Sequence, residues 1–126
     1  MKFAHTMIRV RDLQATMEFY TQFLGLKESG RKEIGEEATL VFLTDEQGTY
    51  ELELTHNKDG RSYTPGNQFG HLAFHVEDLE VVIQEVERRG LAFRRSRPEL
   101  TSRYIFVQDP DGYQIEILEK LKGAAR

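Results

Sequence analysis

The chain repeats itself. His5-Thr-Met-Ile-Arg-Val-Arg-Asp-Leu13 returns as His71-Leu-Ala-Phe-His-Val-Glu-Asp-Leu79, an offset of 66 residues (71 − 5). A period this long, present only twice, specifies a fused duplication of one supersecondary unit rather than a solenoid array. Each copy opens on a hydrophobic strand carrying a histidine and closes on a strand carrying a glutamate. The pairs are His5…Glu53 and His71…Glu116, spaced by 48 (53 − 5) and 45 (116 − 71) residues. Two units that fold alike must present these side chains at two equivalent places.

Between the strands, Leu13, Met17, Tyr20 and Leu24 recur at helical spacing, as do Leu79, Val82, Ile83 and Val86. Each set makes one apolar stripe. Asp12 and Asp78 stand where a short side-chain oxygen caps the first-turn amides. Gly25 and Gly90 stand where a left-handed residue ends a helix. Three strands follow in each copy: Leu26–Arg31, Ala38–Thr44 and Thr49–Thr55, then Leu91–Arg95, Arg103–Gln108 and Tyr113–Glu119. The last two of each set are joined by Asp45-Glu-Gln-Gly48 or Asp109-Pro-Asp-Gly112, both hairpin turns with glycine supplying the positive φ. The predicted fold class is therefore α+β, as two tandem βαβββ repeats (about 2–57 and 69–120) in a single domain spanning 1–126. Asn57–Gln68 is the expected polar linker, and the tail Lys120–Arg126 is expected to fray.

Composition narrows the chemistry. The 126 residues include no cysteine, which excludes disulfides, thiolate ligands and a cysteine nucleophile, so any metal rests on nitrogen and oxygen. The net charge of −4 is spread over interspersed acids and bases, with no basic stripe to invite nucleic acid. No apolar run is long enough to span a membrane, and Met1 leads straight into a strand without an apolar signal core. A cytoplasmic protein is the expectation. Arg94, Arg95 and Arg97, with Arg103 nearby, form the one basic cluster, which suits either a solvated loop or a small anionic ligand.

Strand parity decides which polar residues share a surface. His5, Met7 and Arg9 oppose Ile8 and Val10; Glu51, Glu53, Thr55 and Asn57 oppose Leu52 and Leu54. His71, Ala73 and His75 oppose Leu72, Phe74 and Val76, and Gln114, Glu116 and Leu118 oppose Ile115 and Ile117. The apolar faces pack under the helices, leaving the His and Glu faces on the other side of each sheet. One alternating strand by itself reads as a solvated surface. Four strands in register read instead as a 2-His/2-carboxylate centre, a donor set for Ni, Co, Mn, Fe or Zn. His56 has the parity of Leu52 and Leu54 and is assigned to packing or surface. His75 lies about 13 Å along the strand from His71, too far for the same ion.

These residues resemble a known family. The paired βαβββ pattern, Phe19-Tyr-Thr-Gln-Phe-Leu-Gly-Leu26 and Asp109-Pro-Asp-Gly-Tyr113 before Gln114-Ile-Glu116 are similar to the vicinal-oxygen-chelate superfamily. Glu53-Leu-Thr-His-Asn57, with His5, His71 and Glu116, most resembles its glyoxalase I (lactoylglutathione lyase) members. The likeness covers roughly residues 2 to 120. It implies curved mixed sheets with helices on the outer face, and a metal held by His5, Glu53, His71 and Glu116. It also implies that Arg9 and Asn57 contact the γ-glutamyl end of glutathione. Each metal site would be shared across a homodimer, His5 and Glu53 from one subunit meeting His71 and Glu116 from the other. The implied substrate is the methylglyoxal–glutathione hemithioacetal, converted to S-lactoylglutathione through an enediolate. Glu116 is the expected base, with Glu53 as ligand and possible partner in proton transfer. Compact members of this kind resemble the nickel- or cobalt-activated class, which favours Ni2+ over Zn2+, with glutathione as co-substrate.

The chain departs from the family at two places. Lys58-Asp-Gly60 stands where an aromatic residue often follows the asparagine, and Arg97-Pro-Glu-Leu-Thr-Ser-Arg103 replaces a lysine- and glycine-rich loop. Arg97 or Arg103 is the expected substitute for the missing cation. Two other readings stay open: a different metal-dependent enzyme of the superfamily (acyl-thioester epimerase, dioxygenase or antibiotic-modifying thiol transferase), and a metal-free small-molecule-binding protein.

Overall fold

The computed structural model describes residues 1–120. The expectation of a frayed tail falls on 121–126, outside the described residues, apart from Lys120. The chain divides into two compact units between Thr64 and Pro65, inside the polar linker. The first holds β1 (His5–Arg9), α1 (Leu13–Glu18), a π-helical turn (Phe19–Phe23), β2 (Lys27–Ile34), β3 (Ala38–Thr44) and β4 (Glu51–Asn57). The second holds β5 (Leu72–Val76), α2 (Leu79–Arg88), β6 (Phe93–Arg95), β7 (Tyr104–Gln108) and β8 (Gln114–Glu119).

Each unit is one four-stranded mixed sheet, and the two share one strand order: β1-β4-β3-β2 and β5-β8-β7-β6. The histidine strand lies parallel to the glutamate strand, while the remaining neighbours are antiparallel. The glutamate strands β4 and β8 are therefore interior, flanked on both sides. Facing pairs Val41↔Leu54 and Leu43↔Leu52 form the apolar layer of the first unit. Ile105↔Ile117 and Val107↔Ile115 form that of the second. All eight are buried. In the second unit α2 packs on β8 and buries Leu79, Ile83 and Val86.

The expected punctuation is present. Asp12 accepts from the Ala15 amide at 3.0 Å, and Asp78 from those of Glu80 and Val81 at 3.0 and 3.4 Å. Gly25 and Gly90 end the helices with φ of 79° and 69°. The two Asp-x-x-Gly turns close through Gly48 N–H to Asp45 C=O at 3.2 Å and Gly112 N–H to Asp109 C=O at 2.9 Å. Four elements differ from expectation. β4 runs Glu51–Asn57 rather than Thr49–Thr55, so Asn57 closes the strand instead of opening the linker. β2 continues to Ile34, paired all the way to Ala38. β6 keeps only Phe93–Arg95. The first helix loosens after Glu18, where the Leu24 amide reaches five residues back to the Phe19 carbonyl at 3.1 Å. Thr21 Oγ1 donates to the Met17 carbonyl at 2.6 Å, a side-chain bond to the preceding turn that competes with regular α geometry.

Candidate functional site

Parallel pairing sets Met7 beside Glu53 and Ala73 beside Glu116. Each histidine stands two residues before that partner, on the same face, so the same diagonal step joins His to Glu in both units. The outcome is one geometry built twice. His5 Nε2 lies 3.2 Å from Glu53 Oε1, and His71 Nε2 lies 3.1 Å from Glu116 Oε1. The imidazoles are open to solvent (42% and 41% exposed), whereas the carboxylates are nearly covered (11% and 15%). That coverage follows from the interior position of β4 and β8.

An aromatic ring steadies each imidazole. Phe42, in register with Glu53, meets the His5 ring edge-on at 5.9 Å. Phe106, in register with Glu116, meets His71 at 5.1 Å and 89°. The sequence carried a signal for both that parity alone could have found, since Phe42 and Phe106 alternate with the buried Val41, Leu43, Ile105 and Val107.

The donor set fits a divalent cation. Two adjacent ligands about 2.1 Å from an octahedral ion lie about 3.0 Å apart, close to both observed N···O separations. Among the described residues no three His, Asp or Glu side chains form a group, so each unit offers two donors.

The Glyoxalase/Bleomycin resistance protein/Dioxygenase superfamily model matches residues 2–117. The chain belongs to this superfamily. Its relatives there include a lactoylglutathione lyase of Neisseria meningitidis, 40% identical over 98% of this chain and 94% of that protein. The lactoylglutathione lyase of Salmonella typhimurium is 36% identical over 94% and 93%. The trypanothione-dependent glyoxalase I of Leishmania major superposes with a TM-score of 0.81 at 35% identity, covering 94% of this chain and 86% of that one.

Other polar residues share these faces. Arg9 is in register with Thr55, on the face of His5. Asn57 Nδ2 donates to the Tyr63 hydroxyl at 2.8 Å. Arg11 donates to the Tyr63 carbonyl at 2.9 Å and lies 6.0 Å from its ring, so linker residue Tyr63 is tied to both. Sequence reasoning missed Tyr63, because nothing periodic marks a linker residue. His56 Nδ1 lies 3.3 Å from the Val10 carbonyl, a structural use in keeping with its parity, and His75 is exposed.

The basic cluster separates into three roles. Arg103 binds Glu119 Oε1 at 3.0 Å and Glu80 Oε2 at 2.6 Å, while Glu119 Oε2 accepts the Leu79 amide at 2.9 Å. Arg95 joins Glu80 at 3.3 Å. These groups fasten the start of α2 to the end of β8. Arg97 is exposed near Glu99, 3.5 Å away. Arg94 lies instead on the face of the half-site: Arg94, Phe106 and Glu116 are successive register partners, and its guanidinium sits 4.9 Å above the Phe106 ring.

Proposed function

We propose that this protein is a metal-dependent lactoylglutathione lyase, converting the methylglyoxal–glutathione hemithioacetal to S-lactoylglutathione. The supporting observation is the twice-built His–Glu half-site in a chain 40% identical to a lactoylglutathione lyase over nearly its full length. His5, Glu53, His71 and Glu116 would hold the ion, two donors from each of two subunits of a homodimer. A divalent cation there supplies Lewis-acid polarisation of the two adjacent substrate oxygens, with Ni2+ or Co2+ favoured over Zn2+.

The chain's own groups do the rest. Glu116 takes the proton from C1 and returns it to C2, within the short reach that proton transfer demands, while the C1 hydroxyl's proton passes to the C2 oxygen, so that C1 becomes the thioester carbonyl and C2 the alcohol. The net change is an isomerisation, so no redox partner is consumed. The nearly covered carboxylates keep water from competing for that proton. Phe42 and Phe106 offer apolar surface to the small carbon skeleton. Arg9 and Asn57 bind the γ-glutamyl end of the thiol, with Tyr63 setting the orientation of the Asn57 amide. Arg94 is the better-placed cation for the thiol's other carboxylate, since Arg103 is engaged by Glu80 and Glu119 and Arg97 extends from the β6–β7 loop.

The test is reconstitution of metal-free protein with Ni2+, Co2+ or Zn2+, following thioester formation from methylglyoxal and glutathione. Activity with at least one metal is expected, greatest with Ni2+ or Co2+. Failure with every metal overturns the proposal. Parallel assays with trypanothione test thiol choice, because the Leishmania major relative depends on that thiol.

A further inference from the structure

The two half-sites share one His–Glu geometry and differ two residues past each glutamate. In the first unit that position is Thr55, whose Oγ1 donates to Glu53 Oε2 at 2.6 Å. Glu53 thus has both oxygens directed: Oε2 to the hydroxyl and Oε1 toward His5 Nε2 at 3.2 Å. Glu53 and Thr55 are 9% and 8% exposed, so water is a poor substitute partner for either. In the second unit the position is Leu118, between His75 and Tyr104 in the register. Leucine has no donor. Glu116 Oε1 lies 3.1 Å from His71 Nε2, and among the described residues no donor is directed at Oε2.

This difference acts on the softest torsion of a glutamate. Rotation about the bond to its carboxylate is broad and weakly restrained in itself. A charge-assisted bond from a buried hydroxyl removes that freedom, because turning the carboxylate strands the donor without a partner. We propose that Thr55 is a positioning residue that fixes Glu53 as a permanent ligand, and that Leu118 leaves Glu116 free to turn off the ion and carry the proton. The inference rests on the function proposed above and gives a physical origin for unequal work by two pseudo-equivalent carboxylates.

Four variants decide it: Thr55→Val, Thr55→Ser, Leu118→Thr, and Leu118→Val as the shape control without a hydroxyl. The readouts are Ni2+ affinity of the metal-free protein by titration calorimetry, and kcat and KM for thioester formation. Thr55→Val should weaken Ni2+ binding about tenfold, the scale of losing a partner behind a ligand, and Thr55→Ser should restore it. Leu118→Thr should lower kcat about tenfold relative to Leu118→Val, with KM and Ni2+ affinity held or tightened, because a newly pinned Glu116 turns less readily. Wild-type affinity in Thr55→Val overturns the role of Thr55, as does a Leu118→Thr variant turning over as fast as its control. If the wild-type protein forms no thioester, the proposed function fails, and the affinity of Thr55→Val against Thr55→Ser still decides whether Thr55 positions Glu53.

Discussion

Past its glutamate the first half-site continues through polar side chains, whereas the second meets a leucine between His75 and Tyr104. Beyond Glu53 the open face continues through Thr55 to Asn57, with Arg9 in register beside Thr55. Beyond Glu116 it reaches Leu118, flanked by Tyr104, with Phe106 and Arg94 across the sheet. Gly30 occupies in the first sheet the place that Arg94 holds in the second, each across from the phenylalanine. The duplication thus keeps both His–Glu pairs in one geometry while their neighbours differ.

The largest effect should come from the shared part. Glu53→Gln and Glu116→Gln should each lower kcat/KM by about 10³-fold, roughly 4 kcal/mol of transition-state stabilisation. They should differ in metal binding, with Glu53→Gln losing more Ni2+ affinity because its carboxylate is the one held in place. Equal affinities in the two variants would remove the asymmetry. Next come the buried residues behind each glutamate, Leu54 and Ile117, both fully covered. Truncation of either to alanine should cost about 2–5 kcal/mol in denaturant unfolding, and a cost below 1 kcal/mol would show that half to be loosely packed. Smaller again are the effects expected at the proposed thiol-binding residues. Arg9→Ala should raise KM for the glutathione adduct about tenfold or more, and Arg94→Ala about threefold, each with kcat nearly unchanged. A larger KM effect at Arg103→Ala than at Arg94→Ala would return the anion contact to Arg103.

Much of this was legible in the sequence because the duplication supplied an internal control. Asp12 and Asp78, Gly25 and Gly90, and the two Asp-x-x-Gly turns are local signals, and each appears where its neighbours alone require it. Parity likewise put His5 and Glu53 on one face, and His71 and Glu116 on another. What stayed hidden depends on interactions that local patterns do not encode. Parity puts Glu53 and Thr55 on the polar face with no measure of their cover, and both are buried on β4, which has a strand on each side. The π-helical turn, with Thr21 bonded to the Met17 carbonyl inside it, falls within a run of regular helical spacing that gives no sign of it. Arg103 reads as a ligand-binding cation, while in the fold Glu80 and Glu119, 23 and 16 residues away, accept its hydrogen bonds.

The helices extend the comparison and give its smallest test. α2 has Glu80 in its first turn and Arg88 in its last, complementing the helix dipole, whereas α1 has neither an acid nor a base at these places. Hydrogen bonds from Arg88 and then Arg89 lower the Glu85 pKa from 4.5 to about 2. A carboxylate depressed in the folded state stabilises fully above its unfolded value, and that contribution is lost as pH falls from about 4.5 toward 2. Because Glu85 is at the surface, the effect is small. Melting curves of the wild type and Glu85→Gln should therefore differ slightly at pH 7 and converge as the pH approaches 2. A difference that persists unchanged at the acidic end would mean that Glu85 acts through helix packing rather than charge, and that the two helices differ less in electrostatics than their sequences suggest.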